Sequence, residues 1–260
     1  MLSAERRNLI LKQVQEEKKV VVSQLSHTFD VSEETIRRDL EKLEEEGYVV
    51  KSYGGAILKE DIGRDLPFNV RYRMNPEGKA LIARLAAEEI RDNDYIFMDA
   101  SSTTIFLSQA LRKKEFEKLT VITNSIENAV ILGSHPGCEI VLSGGSLRSE
   151  SMSLMGPKAL DFISAYHVNK AFISCRGIDL NHGVTEGSDE IAGIKQAVIK
   201  NADNIYLLAD KDKLDQVSFA KTCELGKIHT LITDKRPSEN WETTLYERNI
   251  RLICPEETQA

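Results

Sequence analysis

From about residue 76 onward the chain alternates short apolar runs with helical periods, and this alternation restricts its fold more than any other feature. Helical patterns near 77–91, 104–113, 126–133, 157–165, 188–201 and 239–248 separate strand-like runs near 95–98, 120–123, 139–142, 170–174, 205–209, 230–233 and 251–253. Strands joined through helices run parallel and are covered on both faces. The region therefore predicts an α/β domain built on a mostly parallel sheet, with no internal repeat.

At 260 residues the chain has room for a second, smaller domain before this one. With 41% hydrophobic and 29% charged residues, 15 Gly and 6 Pro, it is neither collagen-like nor disordered. No apolar run approaches the roughly 18–20 residues that span a bilayer. The start, Met1-Leu2-Ser3-Ala4-Glu5-Arg6-Arg7, carries charge where a secretion leader is apolar. The expectation is a cytoplasmic protein without a membrane partner. Cys138, Cys175, Cys223 and Cys254 lie far apart with no C-x-x-C pair, so free thiols are expected. A net charge of −7 argues against indiscriminate binding to polyanions and leaves the decision to local distribution.

In the amino-terminal part, Leu9, Ile10 and Val14 give residues 3–17 one buried helical face. A short second helix near 23–29 turns Leu25 and Phe29 inward, and Asp30-Val31-Ser32 interrupts it. The third helix has a well-marked start. Ser32 caps it, Glu33 and Glu34 suit its positive end, and Val31 with Ile36 has the spacing of a hydrophobic staple. Ile36, Leu40 and Leu43 share one arc, which puts Arg38 nearly opposite and Thr35 and Arg37 on the flanks, and Gly47 is placed to end the helix. After it, Tyr48 to Tyr53, Gly54-Gly55 and Ala56 to Leu58 predict a hairpin. Residues 1–58 hold nine basic against eleven acidic residues, a net of −2, so charge alone does not mark them as DNA-binding.

The run Val31-Ser32-Glu33-Glu34-Thr35-Ile36-Arg37-Arg38-Asp39-Leu40, with Leu43, Gly47 and Tyr53-Gly54-Gly55-Ala56, resembles the winged-helix motif of the DeoR family of bacterial transcriptional regulators. The resemblance implies a winged helix-turn-helix over 1–58, a linker over 59–75 and a sensor domain over 76–260. In a helix-turn-helix the start of the second helix enters the major groove, where Arg pairs with guanine and Thr reaches a base edge or phosphate. On this basis Ser32, Thr35, Arg37 and Arg38, with Lys51 and Tyr53 on the wing, are the expected DNA-facing residues, and operator DNA the expected partner.

In a parallel sheet, ligands collect where strands end and helices begin. The joints here carry Asp99 with Ser101, Ser102, Thr103 and Thr104, then Thr123-Asn124-Ser125, then Ser143-Gly144-Gly145. Hydroxyls and free amides at a helix start suit a phosphate, and glycines permit close approach. Further on, Arg176 and Lys195 suit an anion, Asp179 and Glu186 suit sugar hydroxyls, and Lys213 follows Asp210-Lys211 at a last joint. In order, these match the carboxy-terminal domain of DeoR regulators, which resembles the fold and active-site edge of ribose-5-phosphate isomerase and in most members senses a phosphorylated sugar. Two departures from the usual pattern are Ala100-Ser101, where glycine is common, and Arg176, where a small or acidic residue is common.

No catalytic residue, metal site or cofactor is expected. The five histidines show no paired-ligand spacing, and neither the phosphate-loop motif nor a G-x-S-x-G turn occurs. Cys175 with His182 reads as a buried thiol and a loop histidine. The leading expectation is a repressor of a carbohydrate catabolic operon, controlled by a phosphorylated sugar and working as a dimer or tetramer. Its competitors are a sugar-phosphate isomerase using Glu186 as base and a DNA-independent scaffold. An isomerase has no use for a winged helix.

Overall fold

The computed structural model describes residues 2–17, 19–52, 54–58 and 68–256, and the chain divides into two compact units, Met1–Met74 and Asn75–Ala260. In the first, helices α1 (Ser3–Glu17), α2 (Val22–Phe29) and α3 (Glu33–Glu45) enclose a core with strands β1 (Lys19–Val21), β2 (Val49–Ser52) and β3 (Gly55–Leu58). The core holds Ile10, Val14, Leu25, Ile36, Leu40, Leu43 and Tyr48. One expectation is corrected: Leu9 is 42% exposed and Leu11 takes the inward place, because at 3.6 residues per turn Leu11 lies nearer the Ile10–Val14 face.

Helix α3 begins and ends as its residues dictate. The Ser32 hydroxyl accepts the Thr35 amide at 3.2 Å. At the other end Gly47 takes φ +84, its amide donates to the Glu44 carbonyl, and the Tyr48 amide donates to Leu43, the paired bonds of a Schellman stop. Within the helix Asp39 is buried and accepts from Arg6 Nε at 2.6 Å, which ties α3 to α1.

The hairpin β2–β3 forms with Val49 opposite Leu58 and Ser52 opposite Gly55. Strand β1, absent from the expected elements, adds to its other side and makes a three-stranded sheet. Three residues are too few to show an alternation. Gly54 has φ +79, and a Cβ on Gly55 would lie 2.0 Å from the Val20 carbonyl oxygen, so both glycines are required. Part of the expected linker is a helix, α4 (Phe68–Arg73), whose Val70 is buried in this same core. Residues 59–67 lie outside the described residues.

The second unit runs α5 (Pro76–Ala87), β4 (Tyr95–Met98), α6 (Ser102–Leu111), β5 (Leu119–Thr123), α7 (Ile126–Leu132), β6 (Cys138–Leu142), β7 (Ser146–Arg148), β8 (Ser153–Met155), α8 (Pro157–Ser164) and β9 (Val168–Ser174). It continues with β10 (Gly177–Asp179), β11 (Gly183–Glu186), α9 (Asp189–Lys200), β12 (Ala202–Leu208), β13 (Ala220–Cys223), β14 (Thr230–Ile232), α10 (Glu239–Glu247) and β15 (Arg251–Ile253). Seven strands form a parallel sheet in the order β15-β14-β12-β9-β4-β5-β6. Alternating side chains feed two cores: Ile96 and Met98 pack with α5, α6 and α7, whereas Phe97 packs with α8, α9 and α10.

The topology locates the site. From β4 the chain steps outward to β5 and β6, then returns to lay β9 on the other side of β4 and continues outward through β12. Neighbours β4 and β9 are therefore the point where the winding reverses, and in open α/β sheets ligands bind beyond the carboxyl ends of the strands at such a point. Two small antiparallel sheets, neither expected, stand at this edge. The order β10-β11-β13 makes one, and the hairpin β7–β8 makes the other. The hairpin joins the β5–α7 loop through Ile126 N to Met152 O and Leu154 N to Asn124 O.

Candidate functional site

On α3 the buried arc leaves Arg37 and Arg38 outside, with side chains 54% and 76% exposed. Arg37 Nη2 lies 2.8 Å from Glu33 Oε2, and Arg38 Nε lies 3.4 Å from Glu34 Oε1. Ser32 is exposed at the helix start, and Thr35 is half-buried with its hydroxyl 2.9 Å from that of Ser32. Lys51 on β2 turns back to α3: its amide donates to Glu44 at 2.8 Å and its Nζ to Glu41 at 3.1 Å. Tyr53 lies outside the described residues.

At the β4/β9 switch point a buried cluster occupies the strand ends. Asp99 directly follows β4 and is 1% exposed. Its carboxylate accepts the Ser101 amide at 3.1 Å and the Ser174 amide at 2.9 Å, and its Oδ2 lies 2.9 Å from Lys195 Nζ. Lys195, on α9, also bonds the Glu186 carboxylate and donates to the Ser174 carbonyl at 2.7 Å. Burial pushes the Asp99 carboxyl upward, but the Lys195 ammonium and the bonds from Ser101 and Ser174 outweigh it and hold the group below its ordinary value. For Lys195, burial favours the neutral form, and the charges of Asp99 and Glu186 overcome it and raise the ammonium's pKa. Lys213 Nζ donates to the Ser174 hydroxyl at 2.9 Å and lies 3.8 Å from Asp210. Cys175 beside this cluster is a buried free thiol pushed up to about 12 by burial.

The loop after β4 is braced from within. Ser101 caps α6 by accepting the Thr104 amide, and the Thr104 hydroxyl donates to the Asp99 carbonyl at 2.7 Å. Asn128 Nδ2 donates to the same carbonyl at 2.9 Å. Thr123 donates to Met98 O and accepts the Ser125 amide, while Ser125 caps α7. These hydroxyls are committed to the fold. By contrast Thr103 Oγ1 in the first turn of α6, and Asn124 Oδ1 and Ser143 Oγ just beyond β5 and β6, are buried and, among the described residues, without hydrogen-bond partners. Ser102 is buried in the first turn of α6. Gly145 has φ +123 with Met155 O close behind it, whereas Gly144 faces open space.

Arg176, half-buried just beyond β9, donates its amide to Thr185 O, and among the described residues its guanidinium has no hydrogen-bond or ion-pair partner. One expectation is corrected here. Asp179 does not join the cluster: it closes the β10–β11 turn by accepting the Asn181 and His182 amides and His182 Nδ1, each at 2.8 Å. Those bonds hold its carboxyl below the ordinary value. Glu186 stands three residues from that turn along β11, a distance of about 10 Å, and is buried on that strand. Sequence reasoning missed Ser174 and Asn128, whose roles depend on strand order and on partners about 20 or more residues away.

A winged helix-turn-helix followed by a parallel-sheet domain with a charged, partly unsatisfied switch point defines a DNA-binding regulator with a sensor domain. Residues 6–61 match the DeoR-like helix-turn-helix domain, and residues 74–235, more than half of the chain, match the DeoR C terminal sensor domain. The chain belongs to the DeoR family of transcriptional regulators and is a DNA-binding regulator, not an enzyme. It is 38% identical over 234 residues, 90% of each chain, to the uncharacterized HTH-type transcriptional regulator YulB of Bacillus subtilis (strain 168). It is 35% identical over 260 residues, 100% of this chain and 99% of the relative, to the HTH-type transcriptional repressor GlcR of the same organism. Among solved structures, ribose 5-phosphate isomerase A from Methanocaldococcus jannaschii aligns with 54% of this chain and 55% of its own, at 20% identity and a TM-score of 0.39. Among the described residues no helix is long and apolar enough to cross a membrane, and no group of three or more His, Cys, Asp or Glu is placed to hold a metal ion.

Proposed function

We propose that this regulator represses a carbohydrate catabolic operon and that a phosphorylated sugar, bound at the β4/β9 switch point, sets its affinity for operator DNA. Arg176 carries the reading. Lys195 is neutralised by Asp99 and Glu186, and Lys213 stands beside Asp210, whereas Arg176 brings a positive charge to the strand ends without an internal partner among the described residues. The amide-rich start of α6 and the unsatisfied Thr103, Asn124 and Ser143 suit phosphate and hydroxyl groups. Repression is supported by GlcR, a relative named as a repressor. On the same reading Ser32, Thr35, Arg37 and Arg38 face the major groove, and the protein works in the cytoplasm, where operator DNA is found.

A single head buries too little DNA surface for operator-level affinity, so at least a dimer acts on paired half-sites. Sedimentation showing only monomer, with and without DNA, overturns this part. The central test is calorimetry with a panel of pentose and hexose monophosphates, followed by gel shifts on duplexes that the protein selects from a random-sequence pool. Binding of one monophosphate and a change of roughly 5- to 150-fold in DNA affinity are expected. Absence of binding across the panel, or binding without effect on DNA, refutes the assignment.

A further inference from the structure

We propose that Glu33 and Glu34 are specificity-determining residues of the recognition helix: by holding Arg37 and Arg38 they suppress binding to random DNA more than binding to the operator. The proposal rests on the docking of α3 through these arginines. Helix α3 carries six carboxylates against three basic side chains, so the element offered to a polyanion is itself negative. Each outward arginine is paired with the glutamate one turn earlier, and all four side chains are largely exposed. Exposed pairs at this spacing contribute little to stability. Their larger effect falls on the arginines' encounters with DNA.

On random DNA an arginine gains mainly by meeting a phosphate, and that gain depends on its free charge. A carboxylate already at the guanidinium must be displaced, and it repels the approaching phosphate. At a cognate guanine the acceptors are the neutral O6 and N7, read by directed hydrogen bonds. There the glutamate leaves other guanidinium N–H groups available and restricts the arginine to one rotamer family. The same carboxylate thus opposes the nonspecific mode and supports the specific one. Lys51 repeats the arrangement, with its ammonium shared between Glu41 and Glu44.

The test uses the full-length protein with Glu33→Gln, Glu34→Gln and the double variant, near-isosteric changes at exposed sites. Fluorescence anisotropy follows binding to a selected operator duplex and to a random duplex of equal length at about 50–200 mM KCl, the range over which phosphate pairing is most salt-sensitive, with Arg37→Ala/Arg38→Ala as the docking control. For the double glutamine variant, binding to random DNA tightens about tenfold, operator binding changes by less than about threefold, and the salt slope on random DNA steepens by about 0.9 for each additional phosphate neutralised. An unchanged or increased ratio of operator to random affinity overturns the proposal. Unaltered operator binding by the arginine control refutes α3 docking itself, and the proposal with it.

Discussion

Replacing Lys195 with Met tests whether the switch-point cluster is an obligate charge arrangement. The side chain is 6% exposed and touches two carboxylates, Asp99 and Glu186, whose side chains are 2% and 7% exposed. Removing one partner of a buried ion pair costs about 3–5 kcal/mol. For a unit of this size that lowers the melting temperature by about 6–20 °C. The pH dependence carries more information. In the wild type the depressed Asp99 contributes stability that is present above its unfolded value of 3.8 and lost as pH falls through its still lower folded value. Lys195, raised above 10.5, contributes stability that is lost only as pH rises through its folded value. Neither Asp99 nor Lys195 therefore adds pH dependence between about 5 and 9. In Lys195→Met two buried carboxylates face each other with no cation between them and cannot both stay ionised, so one takes up a proton. A raised carboxyl contributes stability below its unfolded pKa and loses it as pH rises through the folded value. The variant should then lose about 1.4 kcal/mol per pH unit across that window. Adding Glu186→Gln should remove this slope and recover part of the stability. Differential scanning calorimetry over the same pH range measures all three proteins. Equal melting temperatures for wild type and Lys195→Met, or strictly additive effects in the double variant, would refute the argument.

Other consequences are open to direct measurement. Arg176→Ala should weaken sugar-phosphate binding about 10- to 150-fold, the loss of a charged hydrogen bond, with ligand-free stability held within about 0.5 kcal/mol; calorimetry and thermal unfolding report the two halves. Arg38→Ala should cost about 1–3 kcal/mol of operator affinity and relax preference at one base pair if it reads a base, which gel shifts on single-substituted operators reveal. Asp39→Ala strands Arg6 in the first core and should cost about 3–5 kcal/mol, seen as faster hydrogen exchange in α1 and α3; the apolar pair Arg6→Met/Asp39→Leu should cost less.

The parts of this molecule legible in sequence are those governed by neighbours along the chain. Ser32 and Gly47 bound α3 because a cap and a left-handed stop are local chemistry, and the strand–helix alternation is equally local. What escaped depends on distant partners. Strand β1 exists because β3 offers it an edge, and α4 because Val70 finds the first core. Asp179 and Glu186 both sit close to glycines in the sequence, yet only the β10–β11–β13 pairing decides that one closes a turn and the other meets Lys195. The reversal between β4 and β9, which selects the functional edge, is a property of strand order.

The segregation of α3 into an inward arc and outward arginines has an evolutionary consequence. Ile36, Asp39, Leu40 and Leu43 are held by the first core and by Arg6, whereas positions 34, 35, 37 and 38 make only exposed, local or surface contacts. Duplicated copies of such a gene can drift at those four outward positions toward new operators without a folding defect at each step, while the inward ones tolerate little. A head organised in this way can be readdressed within a genome many times over, and the sensor behind it can be retuned on a separate schedule.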